Sequence, residues 1–289
     1  MSVPNLRISV VIPAYNESST IGALVQRVAA AVPAAEIVVV DDGSSDGTGD
    51  VAARGGARVL RHPVNKGNDA AIKTALRQLE SDYLVVVDAD GQHPPEAIAE
   101  LVQQLDRFDL VVGARTATSA AKTHRRFGNW LFSKLASLLC DRNIPDVTSG
   151  CRAFDRRKAL EFIHLYPNGF SFPTTSTLAF ISAGYDVTFV PIVAFDRSDA
   201  TTSHIRPMRD GFRFVLMIVR IATMINPLRI FVPAAALMML MGGLWSVRTI
   251  ALTGQISAVG ALLFGAGLNI LFFGIVVDQL AAIRLKTKD

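Results

Sequence analysis

Two long apolar runs without a charged residue lie near the C-terminal end of this 289-residue chain. The first covers residues 230–247 and the second covers residues 256–277, which are 18 and 22 residues respectively. A helix needs about 20 such residues to cross the roughly 30 Å hydrocarbon layer of a bilayer. A helix that packs on the core of a soluble domain would instead carry charged residues at helical spacing on its solvent-facing side. The pattern therefore favours two transmembrane helices over a pair of core helices.

Basic residues flank the two predicted spans unequally. Six of them precede the first span or follow the second: Arg213, Arg220, Arg229, Arg284, Lys286 and Lys288. The connecting loop carries only Arg248. Because basic residues stay on the cytoplasmic side, we expect an integral protein of the cytoplasmic (inner) membrane with a cytoplasmic N-terminal domain. The two cysteines, Cys140 and Cys151, fit a reducing compartment and lack metal-ligand spacing.

The first 115 residues alternate between short β-branched runs and helix-like segments. Strand-like runs occur at 7–13, 36–42, 57–63, 83–90 and 110–115. The segments between them include helical patterns, and the strand-like runs are almost continuously apolar. Strands buried on both faces are typical of parallel sheets covered by helices. The sequence therefore predicts an α/β domain with a mostly parallel sheet.

Polar and acidic residues gather where the predicted strands end. They occupy residues 13–17, 41–44, 62–67 and 88–90. Ligands of parallel sheets bind outside the carboxyl ends of the strands. Any one of these groups could be a helix cap or a turn. Four such groups at one edge favour a binding crevice.

Asp88 and Asp90 directly follow the fourth predicted strand, separated by one residue. Neighbouring carboxylates repel each other unless a cation offsets their charge. Mg²⁺ and Mn²⁺ prefer oxygen ligands, commonly one or two carboxylates together with substrate phosphates. Gln92 adds a carbonyl oxygen. We therefore predict that Asp88, Asp90 and Gln92 bind Mg²⁺ or Mn²⁺ at a substrate diphosphate.

Five motifs together resemble the family 2 glycosyltransferases of the GT-A fold, in the branch of the dolichyl-phosphate mannose synthases and polyprenyl-phosphate glycosyltransferases. They are SVVIPAYNE (9–17), VVVDDGSSDGT (38–48), VDADGQHPPE (87–96), VVGAR (111–115) and TSGCRAFDR (148–156). The resemblance implies a GT-A (Rossmann-like) domain, and one subgroup of the family also carries two C-terminal spans. It implies metal-dependent, inverting transfer of a sugar from a nucleotide-diphosphate sugar to undecaprenyl or dolichyl phosphate at the cytoplasmic membrane face.

The resemblance also implies roles for residues of the donor site. It places four residues around the base and ribose: Pro13, Tyr15, Glu17 and Asp42. It assigns the metal and the diphosphate to Asp88, Asp90 and Gln92. Lys66 could reach the donor, but many relatives carry Gly-Lys-Gly after the asparagine where this chain reads NKGNDAA. A solvated surface position remains the alternative for Lys66.

Residues 113–160 contain ten lysines and arginines against three aspartates. Such an asymmetry predicts an anionic partner. The neighbouring spans favour lipid phosphate and the anionic leaflet over nucleic acid.

The resemblance assigns Arg115, together with an arginine and a serine of RRFGNWLFS (125–133), to the phosphate of the acceptor. For these two positions we choose Arg126 and Ser133, with Arg125 as the alternative arginine. Asp146 and Arg152 flank a Thr-Ser-Gly turn, and we expect them near the reacting centre. A phosphate monoester is already ionised at neutral pH, so its attack requires no general base. The predicted catalytic tasks are therefore positioning and charge stabilisation.

The chain divides into four predicted parts. A catalytic domain covers residues 1–205, two transmembrane helices cover 229–283, and a cytoplasmic tail covers 284–289. The fourth part, residues 206–228, lies between the catalytic domain and the first transmembrane helix. Its sequence places several arginines on one helical face, which predicts a helix lying in the membrane interface. An ordinary domain-packing helix is the alternative for this segment.

Two other functions compete with the lipid-phosphate glycosyltransferase. One is a processive polysaccharide synthase, but its Gln-x-x-Arg-Trp motif is not visible in the sequence. The other is a catalytically silent membrane scaffold that binds nucleotide, against which the intact acidic residues argue. The sequence leaves open the sugar, the base, the length of the lipid, the choice between Mg²⁺ and Mn²⁺, and whether the protein is a homo-oligomer.

Overall fold

The computed structural model describes residues 6–91, 93–116, 123–168, 171–193 and 227–286. The chain divides into two compact units, Met1–His204 and Ile205–Asp289. The first unit holds the sheet and its helices, and the described part of the second unit holds two long helices.

A seven-stranded sheet forms the centre of the first unit. Its strands are β1 (Ile8–Ala14), β2 (Glu36–Asp41), β3 (Arg58–Arg61), β4 (Tyr83–Val86), β5 (Leu110–Arg115), β6 (Arg152–Asp155) and β7 (Val187–Ile192). Their spatial order is β3-β2-β1-β4-β6-β5-β7. Every pairing is parallel except those of β6, which runs antiparallel to both β4 and β5. The predicted mostly parallel sheet is thus confirmed.

Helices cover both faces of this sheet. They are α1 (Ile21–Ala31), α2 (Thr48–Arg54), α3 (Asn68–Gln78), α4 (Glu96–Gln103), α5 (Thr123–Cys140), α6 (Arg156–Glu161) and α7 (Phe172–Ser182). Side chains of a strand alternate between the two faces. Val10 and Ile12 pack with residues of α1 and α4, whereas Val11 packs with residues of α3 and α7. Both faces of β1 are therefore buried, which explains its continuous apolar sequence.

The antiparallel strand β6 brings a second part of the chain to the predicted crevice. The parallel strands all end at one edge of the sheet, whereas β6 begins at that edge. Its first residue, Arg152, pairs with Val86 near the end of β4 and with Val112 of β5. The turn at 148–151 therefore lies beside the residues that follow β4 and β5.

The second unit contains α8 (Leu228–Thr253) and α9 (Ala258–Lys286), which pack against each other. The segments Leu228–Thr253 and Ala258–Ile283 are long and apolar enough to cross a membrane. Only 11% and 17% of their most apolar windows are buried, which argues against core helices of a soluble domain. The predicted interfacial helix at 206–228 lies almost entirely outside the described residues.

Glycines of α9 line its contact with α8. Gly260, Gly267 and Gly274 recur every seven residues and face α8. A Cβ atom at Gly267 would lie 2.6 Å from Met239 Cγ, and one at Gly274 would lie 2.5 Å from Phe231 Cβ. Small residues of this kind let two helices approach closely within a membrane.

Candidate active site

The loops that follow β1 and β2 are joined by reciprocal hydrogen bonds. The Asn16 amide donates to Ser44 Oγ at 3.0 Å, and the Ser45 amide donates to Asn16 Oδ1 at 3.0 Å. These bonds hold Asn16 at a φ of 54°, which asparagine tolerates better than most residues. The neighbouring Tyr15 is 48% exposed. The crevice therefore has an aromatic ring available for stacking on a base.

Glu17 and Pro13 lie at the same edge but differ in accessibility. Glu17 is half-buried, its amide donates to Thr48 Oγ1 at 2.8 Å, and its Oε2 accepts from Thr20 Oγ1 at 3.0 Å. Pro13 is buried within β1, where it pairs with Val40. Its contact with the nucleotide stays a prediction.

Asp42 is buried, and hydrogen bonds engage both of its carboxylate oxygens. Oδ1 lies 2.6 Å from His62 Nδ1 and accepts from the Lys66 amide at 2.9 Å, while Oδ2 accepts from the Gly67 amide at 2.7 Å. His62 Nε2 lies 2.8 Å from Thr74 Oγ1 in α3. With 3% of its surface exposed, Asp42 holds the loop after β3. Its direct contact with the nucleotide stays a prediction.

Glycine allows the loops after β2 and β3 to touch. Gly43 has a φ of +76°, and a Cβ atom there would lie 2.6 Å from the carbonyl carbon of Val64. A side chain at this position would collide with backbone. Lys66 is exposed in the same loop, and its contact with the donor stays a prediction beside the solvated alternative.

Asp88 and Asp90 follow β4 at this edge, and both are half-buried. The carboxylate of Asp88 lies against the turn that precedes β6, since a Cβ atom at Gly150 would lie 2.5 Å from Asp88 Cγ. His93 Nε2 lies 3.7 Å from Asp88 Oδ2. Gln92, the third predicted ligand, lies outside the described residues.

Positive groups around Asp88 keep its carboxylate ionised. Burial opposes ionisation, but the neighbouring His93 side chain, together with the charges of Arg152 and Arg115, lowers the pKa of Asp88. Among the described residues, no group of three or more His, Cys, Asp and Glu side chains could hold a metal ion by itself. Two carboxylates that share an ion with a substrate diphosphate fit the chemistry of Mg²⁺ and Mn²⁺. The residues present therefore fit such an ion.

Arg115 and Asp146 form a two-pronged ion pair. The Nε–Oδ2 distance is 2.7 Å and the Nη2–Oδ1 distance is 3.1 Å, and Nη2 also donates to Thr148 Oγ1 at 2.6 Å. Burial of Asp146 opposes its ionisation, but the hydrogen bonds and charge of Arg115 lower its pKa. The charges of Asp88 and Asp90 likewise help to raise the pKa of Arg115. The predicted acceptor arginine and the predicted metal ligands therefore share one electrostatic cluster.

Serines of α5 hold the loop that carries Asp146. Ser133 Oγ accepts from the Val147 amide at 3.4 Å, and Ser137 Oγ accepts from the Ile144 amide at 2.9 Å. Ser133 is buried and its hydroxyl positions this loop, while its contact with an acceptor phosphate stays a prediction. The side chain of Arg126, in the first part of α5, is outside the described part of the chain.

Arg152 is completely buried at the start of β6. Its Nη1 donates to the carbonyl oxygen of Pro173 and to Ser176 Oγ, both at 2.7 Å, and Nη2 donates to the Ser149 carbonyl. Burial lowers the pKa of Arg152 to about 10, against the opposing charges of Asp146 and Asp88. Arg152 is therefore a fixed cation close to the acidic residues, and its predicted place near the reacting centre stays a prediction.

Sequence reasoning did not assign functions to His62, His93 or Gly150. Both histidines precede a proline, and both contact a predicted site aspartate. Their positions at the polar ends of two predicted strands could have indicated a contact with the site. Nothing in the local sequence indicates that Gly150 meets Asp88, because that approach depends on where β6 inserts.

Comparison with known proteins agrees with this geometry. The family model described as "Glycosyl transferase family 2" matches residues 9–162, and that described as "GtrB C-terminal hairpin" matches residues 226–283. The chain is 32% identical to the undecaprenyl-phosphate mannosyltransferase of Micrococcus luteus over 66% of this chain and 85% of that protein. It is 35% identical to the polyprenol monophosphomannose synthase of Mycolicibacterium smegmatis over 67% and 79%, respectively.

A solved structure shares the fold. Glucosyl-3-phosphoglycerate synthase from Mycobacterium tuberculosis superposes with a TM-score of 0.59 and 21% identity, covering 74% of this chain and 78% of that one. Because the family model spans more than half of the sequence, the chain belongs to glycosyl transferase family 2.

Proposed function

We propose that this protein transfers a sugar from a nucleotide-diphosphate sugar to a polyprenyl phosphate at a membrane surface, with inversion at the anomeric carbon. One observation carries the proposal. Arg115, fixed by Asp146, lies in the same electrostatic cluster as Asp88 and Asp90. A site for an anionic acceptor therefore adjoins a site for a metal-bound diphosphate. The two apolar helices and the relatives named for transfer to undecaprenyl or polyprenyl phosphate support a lipid acceptor.

The donor lies along the carboxyl edge of β1 to β4 in this proposal. Tyr15 stacks on the base, and Glu17 accepts hydrogen bonds from the nucleoside. Lys66 reaches the diphosphate from the loop after β3. Asp42 contributes indirectly, because its hydrogen bonds to the amides of Lys66 and Gly67 set the shape of that loop.

Asp88, Asp90 and Gln92 would hold Mg²⁺ or Mn²⁺. The bound ion would neutralise charge that develops on the leaving diphosphate. The chain's own residues prepare this site, because His93 and Arg152 favour the ionised form of Asp88 and Gly150 leaves room for its carboxylate. A solved structure of the related fold, glucosyl-3-phosphoglycerate synthase, is a complex with Mn²⁺ and UDP-glucose, which supports a divalent ion.

The acceptor phosphate binds at Arg115 in this proposal. Two nitrogens of its guanidinium are directed at Asp146 and Thr148, so the planar group is oriented before a ligand arrives. Asp146 also offsets much of the positive charge of Arg115. A phosphate therefore needs a second cation, and Arg126 of α5 is our candidate. The acceptor is already ionised, so these residues need only hold its oxygen in line with the anomeric carbon.

The catalytic domain faces the cytoplasm in this proposal, since Arg248, near the end of α8, is the single basic residue between the apolar runs 230–247 and 256–277. We place the domain at residues 1–205, the interfacial helix at 206–228, the spans at 229–283 and the tail at 284–289.

Purified full-length protein incubated with a panel of nucleotide sugars, divalent ion and undecaprenyl phosphate tests the function. We expect one lipid product whose mass equals undecaprenyl phosphate plus a single sugar residue. A polymer would indicate a processive synthase instead. Nucleotide binding without turnover of any donor would indicate a scaffold.

A further inference from the structure

Asp69, in the first turn of α3, is buried with only one of its carboxylate oxygens engaged. Oδ2 accepts from the Phe172 amide at 2.8 Å, whereas Oδ1 has no hydrogen-bond partner in the part of the chain that the structure describes. Lys73, one turn along α3, instead donates to the Tyr166 carbonyl at 3.0 Å. A carboxamide at position 69 would accept the same amide proton without the cost of burying a charge. The hydrogen bond alone therefore does not explain why this residue is an aspartate.

Buried side-chain atoms without a hydrogen-bond partner are concentrated around Asp88. Among the described residues they are Asp69 Oδ1, His93 Nδ1, Ser149 Oγ and Arg152 Nε. His93 Nε2 lies 3.7 Å from Asp88 Oδ2, and Ser149 precedes the glycine that meets the Asp88 carboxylate. The charges of Asp88 and Arg152 both act on Asp69. Folded proteins contain few such atoms, so their concentration around one aspartate indicates a functional demand on this region.

Arg152 connects Asp69 to Asp88. Its guanidinium carbon lies 5.9 Å from the centre of the Phe172 ring, and the amide of Phe172 is the group that Asp69 binds. The positive charge of Arg152 favours the ionised form of both aspartates. The same charge repels a divalent ion bound at Asp88, because the two charges have the same sign. A carboxylate beside Arg152 would reduce that repulsion.

We infer that Asp69 is a positioning residue of the proposed metal site. Its carboxylate offsets the buried charge of Arg152 and so strengthens the binding of a divalent ion and a diphosphate at Asp88. The inference rests on the proposed function, because it assumes that Asp88 and Asp90 bind the ion. Asp69 is not a third ligand, since no three His, Cys, Asp or Glu side chains of the described residues are grouped closely enough to hold an ion.

Electron paramagnetic resonance of Mn²⁺ tests this role in the purified full-length protein, with UDP or GDP added, whichever the wild type binds more tightly. Asp69→Asn should weaken the affinity for Mn²⁺ about tenfold, at the lower end of the effect of residues that support metal ligands. The same variant should unfold at a higher denaturant concentration than wild type at pH 7, because it no longer buries a charge. A residue with a purely structural role would not change stability and ion affinity in opposite directions.

Asp155→Asn is the matched control. Asp155 also accepts amide protons at the start of a helix, from Arg157 and Lys158, and it pairs with Tyr83 at the opposite edge of the sheet. This variant loses the same charge and should retain Mn²⁺ as wild type does. Unchanged Mn²⁺ affinity in Asp69→Asn, or an equal loss in Asp155→Asn, would overturn the inference and leave the proposed function standing. Loss of both stability and Mn²⁺ in Asp69→Asn would indicate a structural role and would also contradict it. A wild type that retains no Mn²⁺ with either nucleotide would refute the inference together with the metal site.

Discussion

Arg115 and Asp146 are 31 residues apart in sequence, yet two hydrogen bonds of 2.7 and 3.1 Å join their side chains. Arg115 ends β5, and Asp146 lies in the loop held by Ser133 and Ser137 of α5. The Arg115 guanidinium is therefore held by a loop that hydrogen bonds from α5 hold in turn.

Loss of this ion pair should impair use of the acceptor. Asp146→Asn removes the negative charge that orients Arg115, and each charge-assisted hydrogen bond contributes roughly 1.5–3 kcal/mol. We expect kcat/KM for the lipid to fall roughly ten- to hundredfold, with donor affinity nearly unchanged. Arg115→Lys should keep the charge, lose the planar geometry and retain only part of the activity. Loss of donor binding in Arg115→Ala, with an unchanged KM for the lipid, would move Arg115 to the diphosphate.

Asp90→Asn should abolish nearly all transfer, because one charge fewer weakens the hold on both the ion and the diphosphate. Lipid binding should be normal. Electron paramagnetic resonance of Mn²⁺ in the presence of nucleotide measures retention of the ion directly. Asp106→Asn, at an exposed position after α4, is the control and should behave as wild type. Wild-type activity that persists in excess chelator would refute the metal assignment.

His62→Ala should loosen the loop after β3. Removing the imidazole takes one partner from the buried Asp42 carboxylate, which costs roughly 1–3 kcal/mol of the free energy of unfolding. Because Lys66 and Gly67 belong to that loop, KM for the donor should rise while KM for the lipid stays constant. Unfolding by denaturant measures the change in stability, and steady-state kinetics measures the two KM values. Thr74→Val removes only the outer hydrogen bond of His62 and should have a smaller effect. An equal rise in both KM values would argue against a donor-specific loop.

Asp69 should make the protein less stable as the pH rises from about 4 to about 6. Burial raises the pKa of Asp69 from 3.8 to about 6, against the hydrogen bond from the Phe172 amide and the charges of Arg152 and Lys73. In that interval the unfolded chain has released the proton and the folded chain still holds it, so stability falls and then levels off. Above pH 6 the free energy of unfolding is lower than at pH 4 by at most roughly 3 kcal/mol from this group.

Asp69→Asn removes this titration while keeping an oxygen for the Phe172 amide. The variant should be more stable than wild type at pH 7, and the difference should shrink as the pH falls to 4. Unfolding by denaturant at several pH values measures that difference, in which contributions from other carboxylates cancel. A constant difference across the range would show that Asp69 is already ionised in the folded protein at pH 4.

The two long apolar helices, the parallel strands and the acidic residues at the strand ends were predictable from sequence, because each depends on a local pattern. Residues 256–277, for example, contain no charged residue, and this property does not depend on the rest of the fold. Parallel strands align their carboxyl ends, so Asp42, Asp88 and Asp90 had to reach the same edge. The position of β6 between β4 and β5 was not predictable, since RAFD is short and half polar.

Only the tertiary structure decided which of these residues are open to a ligand. Asp42 follows a strand just as Asp88 does, but His62 and two loop amides use both of its oxygens. Arg152 looks like a substrate-binding arginine in sequence and becomes buried because β6 begins between two strand ends. Hydrogen bonds between segments distant in sequence determine accessibility, and no local pattern records them. The sequence alone determined the chemistry that gathers at this edge, and the packing of β6, α5 and the loop after β3 decided which groups face the crevice.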